Sequence, residues 1–437
     1  MTARGWRPAG LPDWTGNCPG VRLLCVTTVL GALTRDGRLL FFTRSVRLFA
    51  YGALSVVLVL YLTGLGLTAG QTGLLLSLTL AGDVAVSLFL TTRADRLGRR
   101  RTLAVGALLM AAAAVAFLAT RNFALLVVAG TIGVVSPSGN EVGPFWPIEQ
   151  AGLAEIVAPP ARIGVFAWYQ LVGALATAAG ALAGGFLAQG LQRAAYTPVA
   201  SYQAVVLLYA ALGLLLAASF LSVSRSVEPG GDASRAPADA WGLHRSQRVV
   251  AKLASLFALD AFAGGFVVQS FAAYWFYLRF GVRPAALGGI FFGANVLAGV
   301  SALLATRLAA RIGLVRTMVF THLPSNALLM LVPLMPTLPL AVIVLFARFS
   351  ISQMDVPTRQ AYVLAVVAPE ERSAAAGITG VARTAGAAIA PLFAGWMFAS
   401  ARMWNWPFFI AGGLKIGYDL MLYRGFSERD AQVRSEG

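Results

Sequence analysis

Thr91-Thr92-Arg93-Ala94-Asp95-Arg96-Leu97-Gly98-Arg99-Arg100-Arg101 decides the fold, because the chain says it twice. Thr306-Arg307-Leu308-Ala309-Ala310-Arg311-Ile312-Gly313 follows the same pattern in the second half. Two further matches keep step with it. Pro147, Gln150 and Ala151 fall on Pro357, Gln360 and Ala361, and residues 157–162 fall on 367–372. A duplicated block of this size, with apolar stretches between the matches, predicts two parallel repeats of six membrane spans.

Composition agrees with that reading. The chain has 437 residues, 58% of them hydrophobic and only 12% charged. Soluble domains carry about 25% charged residues, so this chain cannot cover a water-facing surface. Apolar runs approach the roughly 20 residues that a span needs. They predict spans near 45–65, 71–92, 102–120, 123–150, 163–189 and 202–222, then 250–279, 285–306, 317–336, 339–364, 373–399 and 404–423. The predicted fold is all-α. Residues 1–44 form a cytoplasmic or interfacial segment, 45–222 and 250–424 two six-helix bundles, 223–249 a linker, and 425–437 a tail. Glu228-Pro229-Gly230-Gly231-Asp232 gives the linker its loop composition.

The net charge of +16 comes almost wholly from arginine. In a soluble protein that excess suggests nucleic acid. Here the arginines lie between apolar blocks and alternate in number. Arg93, Arg96, Arg99, Arg100, Arg101, Arg162, Arg307, Arg311, Arg316 and Arg372 fall on one side; the other side has only Arg121, Arg193, Arg279, Arg283 and Arg402. The positive-inside rule then makes both termini and the linker cytoplasmic, in an inner (plasma) membrane, with no nucleic acid as partner. Cys18 and Cys25 make neither a disulfide framework nor a metal site, and His244 and His322 are isolated. No cofactor is expected.

On these residues the chain resembles the major facilitator superfamily. Asp95-Arg96-Leu97-Gly98-Arg99-Arg100-Arg101 is similar to that family's signature loop, although Thr91 stands where the family has glycine. The second copy keeps Arg311, Gly313 and Arg316 but has Ala310 for the aspartate. Gly180-Ala181-Leu182-Ala183-Gly184-Gly185 is similar to the family's glycine-rich antiporter motif without its proline. The resemblance implies two pseudo-symmetric bundles working by alternating access. It implies that Asp95, Arg96, Gly98 and Arg99 hold the inner helix ends together and loosen during the cycle. Independently of the name, Gly98 permits a tight turn, Asp95 can meet a helix N-terminus or an arginine, and the arginines attract anionic lipid.

Charges inside the spans mark the candidate site, since each costs roughly 2.5–3.5 kcal/mol near the bilayer centre. In span 10, Arg348, Asp355 and Arg359 fall within about 40° of one another, and Asp355 with Arg359 is an i,i+4 pair. Span 4 holds Glu141 and Glu149 among prolines and glycines that break a helix. Broken backbone at that depth lines a cavity or is buried. Glu141 is the expected proton acceptor and Arg348 the substrate anchor. Glu149 occupies the repeat position of Arg359, so the two are expected to meet across the axis as a gate. Asp83 and Asp260 are each either proton sites or helix–helix hydrogen bonds. Arg44 and Arg47 read as snorkelling residues that share a face with Tyr51. Lys415 and Asp419 read as a structural pair, His322 as structural, Gly180 and Gly184 as close packing, and Trp168 or Trp275 as near the cavity.

The function these features predict is a secondary active transporter of a small solute, proton-coupled and leaning towards export. A small polar or zwitterionic solute or an organic anion suits the mixed charges. The alternatives are a hydrophobic drug efflux pump, a lipid flippase on the same fold, and a transport-dead sensor. No nucleotide loop is present, and no nucleophile–base pair in the spans suggests an enzyme.

Overall fold

The computed structural model describes residues 33–157, 162–228, 246–368 and 371–435, with side chains for all but 95, 163, 373 and 427–435. Cys18, Cys25, His244 and most of the linker lie outside this set, as does the side chain of Asp95.

The first bundle contains α1 (Arg35–Gly64), α2 (Ala69–Leu97), α3 (Arg99–Ala119), α4 (Phe123–Ile132), α5 (Phe145–Ile156), α6 (Arg162–Arg193) and α7 (Pro198–Leu221). The second contains α8 (Gln247–Gly265), α9 (Gln269–Phe280), α10 (Pro284–Ile312), α11 (Leu314–Leu331), α12 (Leu338–Ser352), α13 (Asp355–Ala365), α14 (Arg372–Phe398) and α15 (Trp406–Ser435). The pairs α4/α5, α8/α9 and α12/α13 are single spans interrupted midway, which gives twelve spans.

Ten of these spans are long and apolar enough to cross a membrane on length and hydropathy alone. The other two are instructive. At about 1.5 Å per residue, α4 reaches only about 15 Å, so it needs α5 to complete a crossing. α15 carries Lys415, Asp419 and Arg424 along its length.

Three boundaries differ from the sequence expectation. α1 starts at Arg35, not near 45, because Thr34 caps it by accepting the Gly37 N–H at 3.2 Å. α15 continues to Ser435 instead of ending near 424. The span expected at 250–279 breaks after Gly265. Gln269 and Ser270 then use the exposed helix start to reach the other bundle.

The interruption of span 4 is as expected. Residues 133–144 leave the helix, and Gly139 and Gly143 take φ of +70° and +80°, a region open chiefly to glycine.

Helix packing follows the repeat. α1 lies along α6 and α8 along α14 within the bundles; α6 against α10 and α2 against α14 join them. A Cβ on Gly73 of α2 would sit 2.5 Å from the Pro391 carbonyl oxygen, and one on Gly288 of α10 would sit 2.7 Å from that of Ala181. These two contacts are the same contact seen from each half. Both lie at the end of the bundle away from the linker.

Candidate functional site

The bundles touch at the far end. Gln269 Nε2 donates to Ser55 Oγ at 2.7 Å, and Ser270 donates through its backbone N–H and its hydroxyl to Pro137 O at 3.1 and 2.6 Å. Ala285 N–H donates to Gln189 Oε1 at 3.0 Å. Among the described residues, no hydrogen bond or ion pair printed for the linker end crosses between the bundles. The space between them therefore opens towards the linker.

The first half contributes a buried arginine–glutamate cluster. Arg47, fully buried on α1, places its two terminal nitrogens 2.6 and 2.7 Å from the oxygens of Glu149 on α5. Tyr169 donates to the same carboxylate at 2.7 Å. Arg47 also reaches Glu141 at 3.0 Å, and Arg44 pairs with Glu141 directly. Arg44 donates further to Tyr169 O at 2.8 Å and to Gln170 Oε1 at 2.6 Å, and it lies 4.5 Å from the Trp146 and Tyr169 rings. These two arginines are thus the core of the cluster and do not snorkel. The broken span explains the geometry: residues 133–144 bring Glu141 to α1 from a loop, and α5 then delivers Glu149. Glu141 keeps 24% side-chain exposure, and its Oε2 has no hydrogen-bond partner.

Asp83 secures that loop. Its Oδ1 accepts the Gly143 N–H at 2.6 Å and lies 3.5 Å from the Ser87 hydroxyl. Of the two roles open to it, the structure displays the inter-helix hydrogen bond.

The second half is built around Asp260 on α8. Lys415 of α15 pairs with it, Arg383 of α14 donates at 3.0 Å, Arg359 of α13 lies at 3.5 Å and His322 of α11 at 3.8 Å. Arg359 also pairs with Asp355 at 2.6 Å, as the i,i+4 spacing predicts. The Lys415–Asp419 pairing expected on the same ground is not made. Asp419 instead meets His322 at 2.9 Å and Asn326 at 3.0 Å, because α11 packs along α15 and offers closer partners.

The two clusters are one design with the charges exchanged. Gly52 of α1 meets α6 at Thr177 and Ala181, and Gly265 of α8 meets α14 at Ala387 and Pro391. The repeat that aligns Pro147 with Pro357 also aligns Thr177 and Ala181 with Ala387 and Pro391. Gly52 thus answers to Gly265, and Arg47 and Asp260, at equal distance before them, answer to each other. Glu149 answers to Arg359. Arg47–Glu149 and Asp260–Arg359 are therefore the same inter-helix contact with signs inverted. The expected meeting of Glu149 with Arg359 is not made in this conformation; each is held in its own half.

Other residues fall as follows. Gly98 turns with φ +94° and starts α3, whose first N–H groups, on Arg99 and Arg100, donate to Glu228 at 2.6 and 3.2 Å. Arg99 Nη1 also donates to Val227 O at 3.0 Å, and Arg96 is exposed. The signature loop is thus tied to the start of the linker within the first half. Trp275 is fully buried near the far end, donating to Asn405 at 3.0 Å and packed on Phe276 and Phe408, so it is removed from the cavity. Trp168 packs on the hydrophobic cluster around Tyr169. Gly180 and Gly184 press against the Phe49 and Ala53 carbonyls, as close packing requires. Arg383 was missed by sequence reasoning, although a lone arginine in an alanine- and glycine-rich span is itself a signal.

Comparisons with known proteins agree with this architecture. A family model described as the Major Facilitator Superfamily matches residues 40–354 and 279–435. An uncharacterized membrane protein of Saccharomyces cerevisiae is 31% identical over 433 residues, covering 92% of this chain and 96% of that protein. Among solved structures, the nucleoside transporter NupG superposes with a TM-score of 0.72 at 13% identity, covering 90% of this chain and 100% of that one. A bacterial homologue of the human lysosomal transporter Spinster, inward-facing and unoccupied, gives 0.66 at 15%, covering 91% and 96%. A D-xylose–proton symporter gives 0.64 at 14%, covering 89% and 97%.

Proposed function

The chain belongs to the Major Facilitator Superfamily, and from that premise we propose that it is a secondary active transporter moving a small solute by alternating access. The observation that carries the reading is the asymmetry of the two ends: the bundles are hydrogen-bonded together at the far end and unlinked at the other. Between them lie the partly exposed Glu141, Arg348 and Arg383 and the exposed Gln170 and Asn140. Polar side chains at mid-depth that retain exposure belong in a water-filled space.

The arginine bias makes the linker end cytoplasmic, in an inner (plasma) membrane, so this conformation is inward-open. Proton coupling is part of the proposal. Glu141 is the acceptor, because it alone of the two glutamates combines exposure with a carboxylate oxygen that has no partner. Export is the direction we favour, on the glycine-rich segment of α6. The gate is the set of helix ends around Gly98, Arg99 and Glu228, which must part from or meet the second half as the cycle turns.

Proteoliposome uptake against a solute panel, with and without a pH gradient, tests this. Glu141→Gln is expected to abolish accumulation driven by the pH gradient while preserving solute exchange. If that variant still accumulates solute, the proton site lies elsewhere, with Asp83 or Asp260 next.

One observation favours the lipid alternative. An apolar groove of about 380 Å³ runs between α2 and α14, lined by Leu74, Leu78, Ala81, Ala388, Ile389 and Leu392 among others. Translocation of a fluorescent phospholipid without solute uptake would favour that reading.

A further inference from the structure

We propose that the solute is an organic anion whose acid group is held by Arg348 and Ser352 on α12. This rests on the transporter reading above and names the substrate class of that same site.

Depth comes first. Arg348 lies ten residues into α12, which begins at the far end, so it sits about 15 Å into a core of about 30 Å. It is half-exposed there, and a half-exposed guanidinium at mid-depth must face water and not lipid.

Pairing comes second. Asp260, Asp355 and Asp419 are all engaged, by Lys415, Arg383, Arg359, His322 and Asn326. Arg348 has no ion pair among the described residues. Its Nε is buried without an acceptor, and its guanidinium carbon lies 4.9 Å from the Phe349 ring. One turn further on, Ser352 is buried and its hydroxyl also has no partner. Two orphaned donors on one helical face, beside the end of α12, share one need: an acceptor with at least two oxygens.

Charge comes third. Within the second-half cluster, Arg348, Arg359, Arg383 and Lys415 stand against Asp260, Asp355 and Asp419. One positive charge is left over, and protonation of His322 would only add to it. Arg383, 32% exposed beside Asp260, presents the second accessible cation. A carboxylate or phosphate ester supplies both the missing charge and the missing acceptor oxygens. A neutral solute supplies neither.

The test uses the full chain in lipid nanodiscs, with binding read by titration. Acetate, benzoate, citrate, inorganic phosphate and glycerol 3-phosphate are the acids. Acetamide, benzamide, benzylamine, glycerol and a nucleoside are the comparators. The proposal expects at least one acid to bind with its neutral counterpart silent. It expects Arg348→Ala to weaken that acid about ten- to hundredfold and Ser352→Ala to weaken it about three- to tenfold. Arg348→Lys keeps the charge and should restore part of the loss. The carboxylate and phosphate arms tell the two acid types apart. Binding confined to neutral or cationic compounds, or acid binding unchanged in Arg348→Ala, overturns the anion class while leaving transport intact. Absence of acid binding, with a comparator still accumulated by proteoliposomes, overturns it equally.

Discussion

Asp260→Ala is expected to remove most of the folded protein. The substitution deletes the carboxylate that Lys415, Arg383 and Arg359 share, inside a site where Asp260 is 3% exposed. Lys415 and Arg383 have no other carboxylate within 4 Å among the described residues. Stranding a buried charge costs about 3–5 kcal/mol, and here more than one is stranded. Thermal unfolding followed by fluorescence-detected size exclusion reads the effect as a drop in monodisperse protein and in midpoint. Adding Lys415→Met should recover part of the loss, because it removes one stranded cation. An Asp260→Ala protein as stable as the wild type would show that the cluster does not brace α8 to α13, α14 and α15.

Glu149→Arg is the second large effect. It places a guanidinium against Arg47, which has 0% exposure and no room to turn away. Loss of a buried pair alone costs about 3–5 kcal/mol, and the new repulsion adds to it. Rescue distinguishes two accounts. If the ion pair braces the first half, Arg47→Glu restores stability and Arg359→Glu does not. If Glu149 and Arg359 meet across the axis during the cycle, Arg359→Glu restores transport. The inverted pairs favour the first outcome, since each residue already has its partner at the equivalent place in its own half.

The fold was legible because a membrane reduces it to two readable signals, apolar length and arginine bias. Both survive without knowledge of any contact. The repeat of 91–98 at 306–313 then set the two bundles. The break in span 4 was legible from its glycines and prolines. The break after Gly265 was not, because a Gly-Gly pair ends a helix only when something beyond it rewards the break. Here that is the hydrogen bonding of Gln269 and Ser270 to the other bundle.

The candidate site was half legible. Which charges lie inside the membrane follows from the sequence; which charge meets which does not. Asp355–Arg359 obeyed the i,i+4 rule because both partners share one helix and lack a better offer. Lys415–Asp419 has the same spacing, yet α8 and α11 each supply a closer partner. Arg44 and Arg47 read as snorkelling because only the fold shows that residues 141 and 149 come to α1. The exchange of charge between Arg47–Glu149 and Asp260–Arg359 needed the glycine contacts to establish the register.

Alternating access requires the two ends of the molecule to move in opposition, and a wedge tests this without knowing the solute. Gly73→Leu places a side chain where the Pro391 carbonyl and Gly395 leave none. Spin labels in a cysteine-free background, at Gly70 and Ala399 for the far end and at Arg96 and Arg311 for the linker end, report both separations by pulsed dipolar spectroscopy. The account predicts that the wedge lengthens the far-end distance and shortens the linker-end distance. A far end that opens while the linker end stays fixed or widens would contradict it.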